Sequence, residues 1–208
     1  MSESLTRMYT RARRHLARTD PVLREVIARV GRCTLAPGGE PFPILVRSII
    51  AQLISTRAAA TITARVETAA GGALAPAPLL ALGEAGLRPL GLSAAKAAAI
   101  LDLALRATDG RIPCDQFAEL TDSAIQDCLT AVKGIGTWTA EMFLIFGLGR
   151  TDVLPVADFG LRDGVRQSYA LEKLPAARQL RELAEPWRPY RSIATWYIWR
   201  SRGLVPQS

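Results

Sequence analysis

Apolar residues recur along this chain at the three-to-four-residue spacing of helices, and the strict apolar–polar alternation of half-buried strands is almost absent. After a loop signal at Pro37-Gly38-Gly39, Pro43 fits the first turn of a helix. From Phe42 to about Val66 nearly every residue is helix-compatible, with Leu45, Ile49, Ile50, Leu53 and Ile54 as its apolar positions. Gly71-Gly72, Pro76 and Pro78 punctuate the next stretch, so a short helix is predicted around residues 79–82 and a turn over G-L-R-P-L-G-L-S. Ser93 is an N-cap for a helix over residues 94–106 with a stripe of Ala97, Ile100, Leu101 and Ala104, which Gly110 to Pro113 break. Thr121 caps a helix presenting Ile125, Cys128, Leu129 and Val132 on one face. A further helix is predicted for residues 138–146, ended by Gly147 and Gly149. The segment T-D-V-L-P-V-A-D reads as extended and leads into a helix beginning near Phe159. Pro186 and Pro189 bracket a break before an aromatic helix over residues 192–201. The expected fold class is all-α.

Between two of these helices stands V-K-G-I-G-T-W-T-A-E-M, Val132 to Met142. A plain helical corner needs one glycine, at its C-cap; the second points to something that approaches the backbone closely. A helix N-terminus offers unpaired N–H groups and a partial positive charge, so Gly134, Gly136 and Thr137, with Lys133 beside them, are candidates to bind backbone phosphate. Ile135 would plug the core beneath the turn. A tight structural turn between packed helices is the alternative reading of the same residues.

Composition sharpens this picture. The chain has 208 residues, 49 % of them hydrophobic, and a formal charge of +7. Such a charge favours a polyanionic partner, although an arginine- and alanine-rich composition also follows from a GC-rich genome. Placement is more telling: residues 1–32 carry Arg7, Arg11, Arg13, Arg14, Arg18, Arg24, Arg29 and Arg32 against Glu3, Asp20 and Glu25. The tail holds Arg188, Arg191, Arg200 and Arg202 with no acid after Glu185. Both ends read as phosphate-facing surfaces. Three separated cysteines (Cys33, Cys114, Cys128) cannot supply a four-cysteine zinc site or iron–sulfur cluster. The single histidine, His15, lies in an arginine-rich stretch with no nucleophile motif near it. The polar N-terminus carries no apolar signal block, and no apolar run is long enough to span a bilayer. A soluble, cytoplasmic protein is expected.

The stretch L-T-A-V-K-G-I-G-T-W-T-A-E-M-F-L-I-F-G-L-G-R-T-D-V-L-P-V-A-D-F-G-L-R-D-G-V resembles the helix-hairpin-helix DNA glycosylase superfamily, and within it the 3-methyladenine DNA glycosylase II, or alkylbase, branch. Upstream, I-I-A-Q-L-I-S-T-R-A-A-A-T-I-T-A-R-V is similar to the family's first helix pair, with Gln52 and Ser55 in frame. G-L-S-A-A-K-A-A-A-I-L-D-L-A, Gly91 to Ala104, matches a third block in the right order. The resemblance runs from about Phe42 to Arg202. It implies two helical lobes flanking a cleft, without the N-terminal sheet domain of larger relatives. The expected divisions are a basic N-terminal segment (1–41), a helical lobe (42–120), the helix-hairpin-helix (121–146) and a catalytic loop with C-terminal helices (147–208).

The resemblance implies a monofunctional N-glycosylase acting on alkylated bases, of the 3-methyladenine and 7-methylguanine type, in damaged double-stranded DNA. Its catalytic acid falls on Asp158. A carboxylate suits that work, because cleavage develops positive charge on the sugar that a nearby anion stabilises, and the same group can orient or deprotonate water. Capping of the helix at Phe159 is the other reading of Asp158, and the two are compatible; Asp152 and Asp163 are its nearest rivals. Relatives that also cut the strand carry a Schiff-base lysine where this chain has Trp138, so no lyase activity is expected. Trp138 and Trp199 match aromatic positions of the base pocket, where an aromatic face attracts a cationic alkylated base; Met142 is a departure at a third pocket position, where related enzymes can carry an aromatic, which implies a wider pocket or weaker stacking. Trp196 and Tyr197 are assigned to core or rim. Leu53, after Gln52, matches the wedge that fills the gap left by a flipped base, with burial in the Ile49–Ile54 stripe as its alternative. The family also implies a monovalent cation on the backbone carbonyls of Thr130, Val132 and Ile135, no other cofactor, and a monomer. A hairpin protein that binds DNA without catalysis is the alternative function.

Overall fold

The computed structural model describes residues 3–204, and every regular element among them is helical. The helices are α1 (Glu3–Thr19), α2 (Pro21–Val30), α3 (Pro41–Ala51), α4 (Thr56–Ala69), α5 (Pro76–Leu87), α6 (Ala94–Thr108), α7 (Asp122–Thr130), α8 (Thr137–Met142), α9 (Phe159–Ser168), α10 (Ala177–Leu183) and α11 (Arg191–Ser201). They form two compact units, residues 38–148 and a second made of residues 3–37 with 149–204.

In the 38–148 unit, α3 and α6 bury Leu45, Ile49, Ile50, Ile100 and Leu103, and Phe117 meets Phe143 edge-on with ring centres 5.6 Å apart. The predicted caps form: Ser93 Oγ accepts from the Lys96 amide and Thr121 Oγ1 from that of Ala124. Leu103, rather than Leu101, completes the buried stripe of α6. The helix-compatible run from Phe42 breaks at Gln52–Ser55, because Ser55 caps α4 at 3.2 Å and Leu53 takes a left-handed φ of 58°. The helix predicted at 79–82 extends over Pro76–Leu87, interrupted at Gly83 (φ 61°, ψ −175°), and a 3₁₀ turn follows at Arg88–Leu90. The helix predicted from 138 ends sooner: after Met142 the chain widens into a π-helical turn, Phe143–Gly147, in which the Leu148 N–H reaches back to the Phe143 carbonyl at 3.0 Å.

In the other unit, the basic N-terminal segment is helical, and α11 is buried along almost its whole length, Ser192 to Trp199. A helix apolar on every side needs neighbours all round, and α1, α2 and α9 supply them. Trp196 and Tyr197 are therefore core residues. The junction of α1 and α2 is tied down by one buried carboxylate. Asp20 accepts the Val22 and Leu23 amides as N-cap, the Trp187 indole N–H at 2.8 Å, and the Tyr169 hydroxyl. Together these donors offset the cost of burying that anion. The α10 helix, which carries no strong apolar stripe, escapes the sequence pattern and is anchored by Leu180.

Candidate active site and hairpin

Asp158 closes the extended loop at the N-terminus of α9. The loop is held by α11: the Ser192 amide donates to the Thr151 carbonyl and Ser192 Oγ accepts from the Val153 amide, both at 2.9 Å. Asp152, one rival for the catalytic role, clamps the same join. It pairs with Arg191 at 2.7 Å and Arg188 at 2.9 Å. Asp163, the other rival, is held by Arg166 at 2.9 Å and by Gln167 at 2.7 Å, and the Arg166 hydrogen bond draws its carboxyl below the usual range.

Asp158 is the N-cap of α9, as one reading of the sequence expects, and its Oδ1 accepts the Leu161 amide at 2.6 Å. The same oxygen accepts the indole N–H of Trp199 at 2.8 Å. Trp199 is only 5 % exposed, so its edge braces the carboxylate while its rings sit in packed surroundings. Two glycines make that contact possible. A Cβ on Gly164 would stand 2.3 Å from Ile198 Cγ2, so α9 and α11 approach this closely only without one. A Cβ on Gly160 would stand 2.8 Å from Leu204 Cδ1 and 3.2 Å from Asp158 Oδ1. The N-terminus of α9 places the partial positive end of a helix dipole beside this carboxylate.

The hairpin belongs to the other unit. Thr130 ends α7, and the Val132 carbonyl closes the turn by accepting the Ile135 amide at 3.1 Å. Ile135 is buried beneath it, as expected. Gly134 takes φ +74°, where a side chain would be strained. Gly136 differs: at φ −93° any residue would fit, and nothing lies within 4 Å of where its Cβ would be. Neither backbone nor packing demands a glycine there, which leaves room for something outside the chain. Lys133 and Thr137 are exposed beside it. Trp138 is 49 % exposed and Met142 half-buried on α8.

Gln52, Lys96 and Asp102 tie together this hairpin, α6 and the Gln52–Ser55 turn. The Gln52 amide donates to the Gly134 carbonyl at 3.0 Å. Lys96 Nζ donates to the carbonyls of Ile50 and Gln52, each at 2.7 Å, answering orphan acceptors at the end of α3. Burial lowers its pKa below the lysine norm. Asp102 Oδ2 accepts the Lys133 amide at 2.9 Å, and Oδ1 pairs with Arg106 at 3.0 Å. Burial alone would raise its carboxyl; the Lys133 amide and the Arg106 guanidinium outweigh that and hold it low. A lone lysine inside an alanine run was the available signal for Lys96. Leu53, at the tip of the braced turn, is fully exposed and so is not part of the Ile49–Ile54 stripe.

Among the described residues no cluster of histidine, cysteine, aspartate or glutamate could hold a metal ion, and no helix is long and apolar enough to cross a membrane. Burial pushes the Cys33 thiol up to about 12 and the Cys114 thiol up to about 11.

The model of the HhH-GPD superfamily of base excision DNA repair proteins matches residues 46–189. DNA-3-methyladenine glycosylase 1 of Schizosaccharomyces pombe is 31 % identical over 209 residues, spanning 98 % of this chain and 92 % of its own length. A 3-methyladenine DNA glycosylase of the same yeast, solved in complex with abasic DNA, superposes with a TM-score of 0.80 at 30 % identity, covering 95 % of this chain and 99 % of that one. A DNA-3-methyladenine glycosidase structure from Bacillus halodurans gives 0.83 at 36 % identity, covering 91 % and 87 %.

Proposed function

The chain belongs to the HhH-GPD superfamily of base excision DNA repair proteins, and on that premise we propose that it is a monofunctional DNA glycosylase hydrolysing the N-glycosidic bond of alkylated bases in damaged duplex DNA. The observation that carries this reading is Asp158: a carboxylate at a helix N-terminus, braced on one oxygen by Trp199 and Leu161. A fixed anion of this kind stabilises the positive charge that grows on the sugar as the base departs, and orients the water that replaces it. Its fixed geometry means little reorganisation at the moment of reaction.

The other assignments follow from the hairpin unit. Trp138 cannot form a Schiff base, so the abasic strand is left intact. Its exposed aromatic face suits a cationic base such as 3-methyladenine or 7-methylguanine, with Met142 beside it on α8. Leu53 enters the stack where the base has left, and Gln52 holds that turn to the hairpin. Gly134, Gly136, Thr137 and Lys133 take a backbone phosphate, which positions the duplex without reading it. The carbonyls of Thr130, Val132 and Ile135 fit a monovalent cation, since the Ile135 amide uses one of two lone pairs on the Val132 oxygen; such an ion would add positive charge near the phosphate. The protein would work as a monomer on chromosomal DNA in the cytoplasm of a bacterial-type cell.

Base release from methylated duplex DNA, for wild type and Asp158→Asn with duplex binding in parallel, tests the reading. Wild type should free alkylated bases and leave abasic sites uncut, while the Asn variant binds without release. Binding with no release from any alkylated substrate by wild type replaces it with the non-catalytic DNA-binding reading.

A further inference from the structure

Arg7, Arg11, Arg14 and Arg18 follow one another on α1 at spacings that place them on one face. At 1.5 Å per residue this row is about 16 Å long. A groove of about 740 Å³ runs along it, lined also by His15 and Tyr190 and by no acidic side chain. Arg7 pairs with Glu3, whereas Arg11, Arg14 and Arg18 are exposed and have no carboxylate partner among the described residues. Arg13 and Arg32 line a second cavity, of about 290 Å³, along the same helix. Like charges four residues apart weaken a helix, and an external anion would relieve that repulsion.

The groove is not the Asp158 site. Tyr190 immediately precedes α11, whereas Trp199, which holds Asp158, stands near the other end of that helix. The helical rise from Tyr190 to Trp199 separates them by about 13 Å.

We propose that this groove is a second phosphate-binding surface, which takes the sugar–phosphate backbone of duplex DNA outside the segment engaged at Asp158. It rests on the reading of the chain as a DNA glycosylase. Each strand of duplex DNA carries a phosphate about every 3.4 Å of helix axis, so a row of about 16 Å is long enough to meet several of them. Forked guanidinium groups take phosphate oxygens pairwise, and every arginine here can do so without giving up a carboxylate other than Glu3. Contacts of this kind carry no sequence information and serve to retain the protein on undamaged DNA.

The test compares full-length wild type with the triple variant Arg11→Gln/Arg14→Gln/Arg18→Gln, binding a labelled undamaged duplex over a range of salt. A charge-matched triple, Lys173→Gln/Arg178→Gln/Arg181→Gln, controls for bulk charge, and far-ultraviolet circular dichroism for folding. Removing one arginine–phosphate pair flattens the plot of log affinity against log salt by about 0.9, so the α1 triple should flatten it by between about 2 and 3 while the control keeps the wild-type slope. Single-turnover base release at saturating enzyme should stay at the wild-type rate. Equal slopes for the two triples overturn the proposal. So does loss of poly-glutamate binding by the α1 triple with its DNA slope intact, which would make the groove a site for an acidic protein segment. If wild type itself releases no base, the glycosylase reading fails, and the duplex slopes still report on the groove.

Discussion

The indole N–H of Trp199 donates to Oδ1 of Asp158 at 2.8 Å, across the narrow gap between α11 and α9. On the proposed reading of Asp158, this bond gives Trp199 a positioning role, acting through the carboxylate. Trp199→Phe keeps an aromatic ring and removes the donor. A hydrogen bond to a charged group contributes about 1.5–3 kcal/mol, so single-turnover base release should fall roughly ten- to a hundredfold. Duplex affinity should stay at the wild-type value, which separates lost positioning from lost binding.

Gly164 sets the gap itself. The Cβ of Gly164→Ala would collide with Ile198 at 2.3 Å, and overpacking of this kind costs about 1–3 kcal/mol. Urea unfolding should show that loss, and base release should fall with it as Trp199 is pushed from Asp158.

Leu53 should behave in the opposite way. Its side chain is fully exposed, so Leu53→Ala should change stability by no more than about 0.5 kcal/mol. Base release should drop about tenfold, equivalent to about 1.4 kcal/mol, because nothing fills the gap in the stack. A thermal melt and a single-turnover assay on the same sample check both halves.

Asp102 gives the hairpin a pH dependence. Its carboxyl is held below the usual range, so its stabilising contribution is present above the ordinary carboxylate pKa of about 3.9 and is lost as pH falls through the lower folded value. Asp102→Asn should therefore be less stable than wild type by about 1–2 kcal/mol at pH 7, and the two should converge as the medium becomes more acidic. Denaturant unfolding over that range measures the convergence.

The helical class, the caps at Ser93, Thr121 and Asp158, and the double glycine were legible because each depends on a few adjacent residues. A cap needs only its own oxygen and amides two or three residues on. Leu53 was ambiguous for the same reason: its spacing fits the Ile49–Ile54 stripe, and only the break at Gln52–Ser55 turns it outward. The roles of Lys96 and Asp102 were not legible, because their partners lie about thirty to forty-six residues away in the chain.

By itself, then, the sequence determined the helices, the hairpin between α7 and α8, the carboxylate at the head of α9 and the absence of a lysine at position 138, all properties of local chain chemistry. The tertiary structure alone decided which side chains hold those features in place. Trp199 comes to Asp158 because Gly164 lets two helices close, and the turn carrying Leu53 is fastened to the hairpin by Gln52 and to α6 by Lys96. Periodicity tells which face of a helix is apolar; it carries no information about which distant donor will meet a given oxygen, because that is fixed by the packing of the whole unit.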